Sequence, residues 1–596
     1  MTAEGAAVAP FGDWRNGMAA AGMGAIPIEG GYAFRVWAPH ATAVHVVGDF
    51  TEWDHDAHPM ESEGNGNWYA EVPGAQMWQE YQYLLANGED TFLRIDPRAL
   101  AVTHSVGNGL LYDHAAYDWE GDDFTPPHQH EMVVYETHIG SFVDTPGDGP
   151  ADLNDLVGKL DYLVGLGVNA IELMPLMEFA GDYSWGYNPA HVFAVAHTYG
   201  GPQALKTFVK EAHKRGLAVI IDVVYNHFGP SDLSLWQFDG WSENGKGGIY
   251  FYNDHRSATP WGETRPDYGR EEVRDFILDN ARMWLRDYHV DGLRLDMTPY
   301  MRRVNGTDGE DIPEGWEMMR LIGEMVRTEF PRHVVIAEDL HNVAEVTSVE
   351  PEGAAMHAQW DNQFVHPVRE ALIVADDAHR SVAAVAQAVT HEYHQPFDRV
   401  IYTESHDEVA NGQARITSEV DGDDPGGWTA QKRATLGAAL VLTAPGIPML
   451  FQGQEFLEDE WFRDTVPLDW GRAWAFRDIT QMFRDLILLR RNADGDSRGL
   501  AGEHTTLVLA DEAVKLLAYV RSTGDGHHVL VAVNLSTTSV QRSVKLPGEH
   551  WRVRFNSDAR AYSQLFGDHA TPDIAVQNGM GLLDLAPYSA VLYVPA

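Results

Sequence analysis

From Met132 onward, strand-like and helix-like stretches take turns, and this alternation limits the fold more than any other feature of the 596 residues. "LAVIIDVV" (217–224) is apolar throughout, as a strand covered on both faces is. Before it, Ala204, Leu205, Phe208, Val209 and Ala212 recur at helical spacing, and Gly216 is placed to end that helix. The same pattern runs through a strand at "MVVYETH" (132–138), a helical series at Leu153, Leu156, Leu160 and Leu163, and a strand at "AIELMP" (170–175). It continues through a helix with Val273, Phe276, Ile277 and Trp284, a strand at "DGLRLD" (291–296), a helix near 316–329 and a strand at "HVVIAED" (333–339). Further strands are predicted at 357–364, 399–405 and 447–453. About eight strands alternating with helices over roughly 360 residues imply a parallel sheet closed into a (β/α)8 TIM barrel with insertions. An open doubly wound sheet is the runner-up, but no glycine-rich phosphate fingerprint follows the first strand.

The flanks read differently. Residues 1–25 form a loose leader, and 26–118 carry short alternating strands such as "YAFRVWAP" and "NWYAEVPG", separated by Gly, Asn and Pro turns. This predicts an N-terminal β-sandwich, a barrel over 119–494 and an all-β C-terminal domain over 495–596. A net charge of −46 argues against a nucleic-acid partner, because phosphate backbones demand clustered Lys and Arg. A neutral sugar polymer is not repelled. No apolar run has membrane-spanning length, no secretory signal is visible, and cysteine is absent, so a cytoplasmic enzyme without disulfides is expected.

The polar residues collect where a barrel does its chemistry, at the C-terminal strand ends. Arg294 and Asp296 lie two apart and share one face of a strand. Other strand ends deliver His227, Glu338 with Asp339, and His406 with Asp407. Each alone has a bland account as a cap or an ion pair; four strands aiming such groups at one rim do not. Two carboxylates on facing strands suit glycoside cleavage, one as nucleophile and one as acid/base. Asp296 is then the nucleophile, with Arg294 beside it holding its pKa down, and Glu338, after the apolar "VVIA", is the acid whose pKa burial raises. Asp407, His227 and His406 are left to bind sugar hydroxyls. No zinc-ligand spacing and no Gly-x-Ser-x-Gly elbow occurs.

These residues fall in "DVVYNH" (222–227), "DGLRLD", "VVIAED" (334–339) and "ESHDE" (404–408), joined by "ELMPLMEF" (172–179), "SWGYNPAHVFA" (184–194) and "GIPMLFQGQEF" (446–456). In order and spacing the set resembles the α-amylase superfamily of retaining α-glycosidases and transglycosidases. "FRVWAPHATAVHVVGDFTEWD" (34–54) is similar to the carbohydrate-module-like sandwich that some members carry. The resemblance implies Asp296 as nucleophile, Glu338 as acid/base and Asp407 as transition-state stabiliser. It makes Arg294, His227 and His406 sugar ligands, Tyr187 an aromatic platform and Asp222 a structural carboxylate. It implies an α-glucan substrate and no cofactor; Asn226 stands where many amylases use an Asn for calcium, and no further ligands are identifiable.

Three activities stay open. "GDFTEWD", "RIDPRA" (94–99), "SHDEV" (405–409) and "PLDW" (467–470) look like α-1,4-glucan branching enzymes, the favoured expectation. "VVYNHFGP" (223–230), "ATPWGE" (258–263) and "AAMHAQWDNQFVHPV" (354–368) look like maltooligosyltrehalose trehalohydrolases, and plain α-amylase hydrolysis is the third. "DMTPYM" (296–301) fits neither of the first two well. Trp236, Trp241, Trp261 and Trp461 are candidate acceptor-side aromatics. A catalytically inactive glucan-binding scaffold would require a missing acid or nucleophile, whereas Asp296, Glu338 and Asp407 are all present.

Overall fold

The computed structural model describes residues 20–145 and 149–596. Eight parallel strands close a barrel: β1 (Val134–Thr137), β2 (Ala170–Leu173), β3 (Ala218–Val223), β4 (Gly292–Leu295), β5 (Val334–Ala337), β6 (Ala358–Trp360), β7 (Arg399–Ile401) and β8 (Ile447–Phe451), with β8 pairing back onto β1. The alternation in the sequence is therefore the barrel itself.

Along each strand, successive side chains face opposite ways. Tyr135, Ile171, Val219, Ile221, Leu293, Leu295 and Val335 point outward into the layer of helices. Val134, Ala170, Ala218, Ile220, Ile336, Ala358, Trp360, Val400 and Met449 point inward and fill the lower barrel. Two residues further along β1, β2 and β3 the inward positions turn acidic, at Glu136, Glu172 and Asp222. With Arg294 of β4 they form a charged layer buried above an apolar floor. Gly292 keeps β4 tight against β5, since a Cβ there would lie 2.7 Å from Val334 Cγ2 and 2.9 Å from its carbonyl oxygen.

Two sequence expectations shift. The strand expected over 357–364 ends at Trp360, because Asp361 caps the helix Asn362–Ile373 by accepting from the Gln363 N–H at 2.9 Å. The expected leader falls on residues 1–19, which lie outside the described residues, and on a following stretch where the strand Gly24–Ile28 already begins.

The N-terminal domain is a sandwich of two antiparallel sheets, with Phe34 of one sheet against Tyr81 of the other at 5.3 Å between ring centroids. It is docked on the long connection between β3 and β4. Asp239, fully buried, accepts from both the backbone N–H and Nδ1 of His40, each at 2.9 Å. The His40 ring stacks on Trp241 at 4.6 Å, Arg94 donates to the Gln237 carbonyl, and Trp37 meets Tyr250 edge-on. After the barrel, a six-stranded antiparallel sheet and a two-stranded one make the C-terminal domain. Among the described residues no helix is long and apolar enough to cross a membrane.

Candidate active site

The chain leaves β4 at Leu295 and places Asp296, Met297 and Thr298 on the rim beside the end of β5. Met297 has φ 36°, in the left-handed region that a side chain makes costly. That conformation turns its N–H onto Glu338, donating to Oε2 at 2.8 Å. Thr298 donates through its N–H and its hydroxyl to the Glu338 carbonyl, both at 3.0 Å, and the same hydroxyl reaches Asp339 at 3.1 Å. Arg302 then closes on Asp339 with two bonds, at 3.0 and 2.8 Å, buried on both sides. "DMTPYM", which matched no activity cleanly, is thus the clamp between the candidate nucleophile and the candidate acid.

Arg294 is the hub of the site. It is fully buried, under the Trp360 ring at 4.4 Å. Its Nη1 lies 2.5 Å from Asp222 Oδ2 and 3.3 Å from Asp296 Oδ1, and its Nη2 lies 2.8 Å from Glu338 Oε2. Arg294 therefore is not reserved for Asp296, as the shared strand face suggested; its shorter contacts are to Asp222 and Glu338. The sequence pattern could not show this, because Asp222 arrives from β3 and Glu338 from β5. Burial nonetheless pushes the Glu338 carboxyl well above its ordinary range, against the pull of Arg294 and with the push of Asp296 and Asp407. Burial likewise lifts Asp222 to about 7, opposed by Arg294. Tyr187 donates to Asp222 Oδ2 at 2.6 Å, so this carboxylate anchors both the arginine and the tyrosine ring.

Across the barrel, His406 is held by Glu136: Nδ1 lies 2.5 Å from Oε1 and the backbone N–H donates to Oε2 at 3.2 Å. The Tyr187 ring lies over the His406 ring at 5.2 Å and 25°, and Trp185 meets it edge-on. Asp407 is the open member, its side chain 49% exposed and 3.6 Å from His406 Nε2. Asp296, Glu338, Asp407, Arg294, His406, Tyr187 and Asp222 thus converge on one rim. His227 is present there but turned inward. Its ring nitrogens face Asn226 Oδ1 and the Tyr187 carbonyl, and burial lowers its pKa. Asn226 in turn donates Nδ2 to the carbonyl and to Oδ2 of Asp296, the latter at 2.6 Å. Both ends of the Asn226 amide are therefore engaged by protein, and its Nδ2 supports the Asp296 carboxylate.

Of the four tryptophans, Trp261 joins the site. It stacks on His227 at 4.6 Å and 14°, meets Tyr300 of the clamp edge-on, and remains 37% exposed. Trp241 is spent on the N-terminal domain and Trp236 packs near Phe251, while Trp461 is exposed beside Arg463. Two site residues escape a reading confined to strand ends, Glu136 and Glu172. Each is a lone acid in an apolar strand, "VVYET" and "AIEL", and a charge buried in such a run is itself a signal.

Similarity to known proteins covers nearly the whole chain. The alpha amylase catalytic domain matches residues 138–254 and 234–485, carbohydrate-binding module 48 (isoamylase N-terminal domain) matches 22–99, and the alpha amylase C-terminal all-beta domain matches 507–596. A 1,4-alpha-glucan branching enzyme GlgB of Nitratidesulfovibrio vulgaris (strain DP4) is 28% identical over 95% of this chain and 93% of its own. The corresponding enzyme of Leifsonia xyli subsp. xyli is 29% identical over 95% of this chain and 78% of its own. Among solved structures, pullulanase type I from Bacillus subtilis in complex with maltose superposes with a TM-score of 0.76 at 23% identity, covering 97% of this chain and 86% of that one. Apo pullulanase from Paenibacillus barengoltzii gives 0.75 at 22% identity, covering 97% and 95%. At these identities the structural likeness concerns the fold.

Proposed function

Because the chain belongs to the α-amylase family, an enzyme family acting on α-glucosidic bonds, we propose that it is an α-1,4-glucan branching enzyme working through a covalent glucosyl-Asp296 intermediate. The observation that carries the glycosidase chemistry is that Asp296 and Glu338, from adjacent strands, meet on the one guanidinium of Arg294. The branching reading rests on relatives named branching enzymes that align over nearly the full chain.

In the first step the Asp296 carboxylate attacks the anomeric carbon of an α-1,4-linked glucose. Glu338, kept protonated by burial, gives its proton to the leaving O4. In the second step Glu338, now ionised, takes the proton of an acceptor O6 hydroxyl. That oxygen attacks the anomeric carbon and expels Asp296, leaving an α-1,6 bond and restoring both carboxyl groups. Asp407 and His406 bind hydroxyls of the same glucose, with Arg294 orienting Asp296 and Tyr187 offering its ring as the platform. His227 acts from behind, through Asn226. Hydrolysis differs only in the second nucleophile, water in place of a sugar hydroxyl.

The test is proton NMR of an amylose digest. New α-1,6 anomeric signal at nearly constant reducing-end count is the expected result. Rising reducing ends without α-1,6 signal would replace branching by hydrolysis, with maltooligosyltrehalose as the next substrate.

A further inference from the structure

We propose that Glu136 is a positioning residue for this reaction: from β1 it fixes His406 as a cation whose Nε2–H is aimed at the sugar bound beside Asp407. The proposal rests on the glycosidase reading given above.

Both oxygens of the Glu136 carboxylate are committed to His406, one to Nδ1 and one to the backbone N–H, although 270 residues separate the two. A carboxylate only accepts, so Nδ1 must carry the proton. Nε2 is then the one ring position left for substrate, and it faces another acceptor, Asp407 Oδ2, at 3.6 Å. A neutral ring would present a lone pair there; a charged ring presents a donor suited to a hydroxyl oxygen. Burial works against the charge, but Asp407 and Glu136 together overcome it and raise the His406 imidazole to about 9. Arg294 from β4 and His138 at the end of β1 oppose the charge; Glu172 of β2 faces it as well, with the rings of Tyr187, Trp185 and Trp360 around it. Glu172 pairs in register with Glu136, and burial together with Glu136 raises it to about 8. It favours its protonated form and so adds little negative charge beside the Glu136–His406 pair.

Glu136 touches no substrate in this arrangement. It acts through His406, and what it controls is the pH range over which His406 can donate. The experiment measures kcat and KM for loss of α-1,4 linkages in amylose between pH 5 and 9, for the full chain and for Glu136→Gln. The amide keeps the size and one acceptor but not the charge. Glu136→Gln should stay active near pH 6, and its alkaline limb should move down by about one pH unit, giving roughly tenfold loss near pH 8. A loss uniform in pH, or an unmoved limb, overturns the proposal by reducing Glu136 to a structural acid. Should Glu136→Gln fail to fold, Glu136→Asp decides: kcat lowered severalfold with the limb in place supports it, and wild-type kcat overturns it. Cleavage is scored whatever the product, so a failure of branching leaves the test intact. Wild-type protein without any α-1,4 cleavage overturns the glycosidase reading and this proposal with it.

Discussion

The backbone N–H of Met297 donates to Oε2 of Glu338, so the residue that follows Asp296 in the chain holds the carboxyl of the neighbouring strand. The two carboxyl groups are positioned by one continuous clamp, and their roles can be separated by substitutions that leave the clamp whole. Glu338→Gln keeps an acceptor for the Met297 N–H and loses the transferable proton. We expect kcat to fall by about 10²–10⁴ with little change in KM; equal losses in kcat and affinity, measured on maltooligosaccharides, would count against an acid role.

Asp296→Ala should remove turnover, by at least about 10⁴-fold, while amylose binding in affinity electrophoresis and the thermal unfolding temperature stay close to wild type. Near-normal activity would sink the nucleophile assignment.

Asp339→Ala leaves the Arg302 guanidinium buried without its carboxylate. Breaking such a pair costs about 3–5 kcal/mol, so denaturant unfolding should show a clear loss of stability. Because the same change loosens the clamp on Glu338, kcat should fall more than KM rises. Unchanged unfolding would mean that water or another acid replaces Asp339.

Glu172 is pushed up to about 8 by burial and by Glu136. A carboxyl raised in the folded state contributes its full stability below its unfolded value near 4.5, and that contribution is lost as pH rises through the folded value. Between about pH 4.5 and 8 the wild type should therefore lose stability relative to Glu172→Gln, which has no proton to hold. Differential scanning calorimetry should find the variant gaining on the wild type from pH 5 to pH 8.5. A constant difference across that range would contradict a protonated Glu172.

Trp261 lies flat on His227 and keeps an outer surface in the cleft. Trp261→Ala should raise KM by roughly tenfold, the equivalent of about 1.4 kcal/mol of lost ring contact. It should also shift products from α-1,6 transfer toward free reducing ends. An unchanged product ratio would place the acceptor elsewhere.

The barrel and its rim were legible because period and position are local properties. An apolar run bounded by a helix reads as a strand, and the residue after it reads as rim. Asp296, Glu338 and Asp407 read as rim residues in this way, and the structure places all three after their strands on that rim. What the sequence hid is the partner of each group. Glu136 on β1 and His406 after β7 are 270 residues apart and touch because β8 pairs with β1 and brings β7 round to it. Arg294 reads as the neighbour of Asp296, yet the pairing of β4 with β3 on one side and β5 on the other brings Asp222 and Glu338 nearer to it. The overextended strand at 357–364 has a local cause. "AQWDNQF" mixes an apolar run with a cap, and only the bond from the Gln363 N–H to Asp361 shows where one element stops and the next begins.

The N-terminal sandwich is fastened to the connection that also carries Trp261, through Asp239, His40 and Trp241. A module on a flexible tether would raise the effective concentration of glucan by an amount set by tether length. Here there is no tether between the docked faces. With these faces docked, the module and the connection that carries Trp261 keep one spacing and one orientation, and any force on the sandwich is passed through Asp239, His40 and Trp241 to the edge of the cleft.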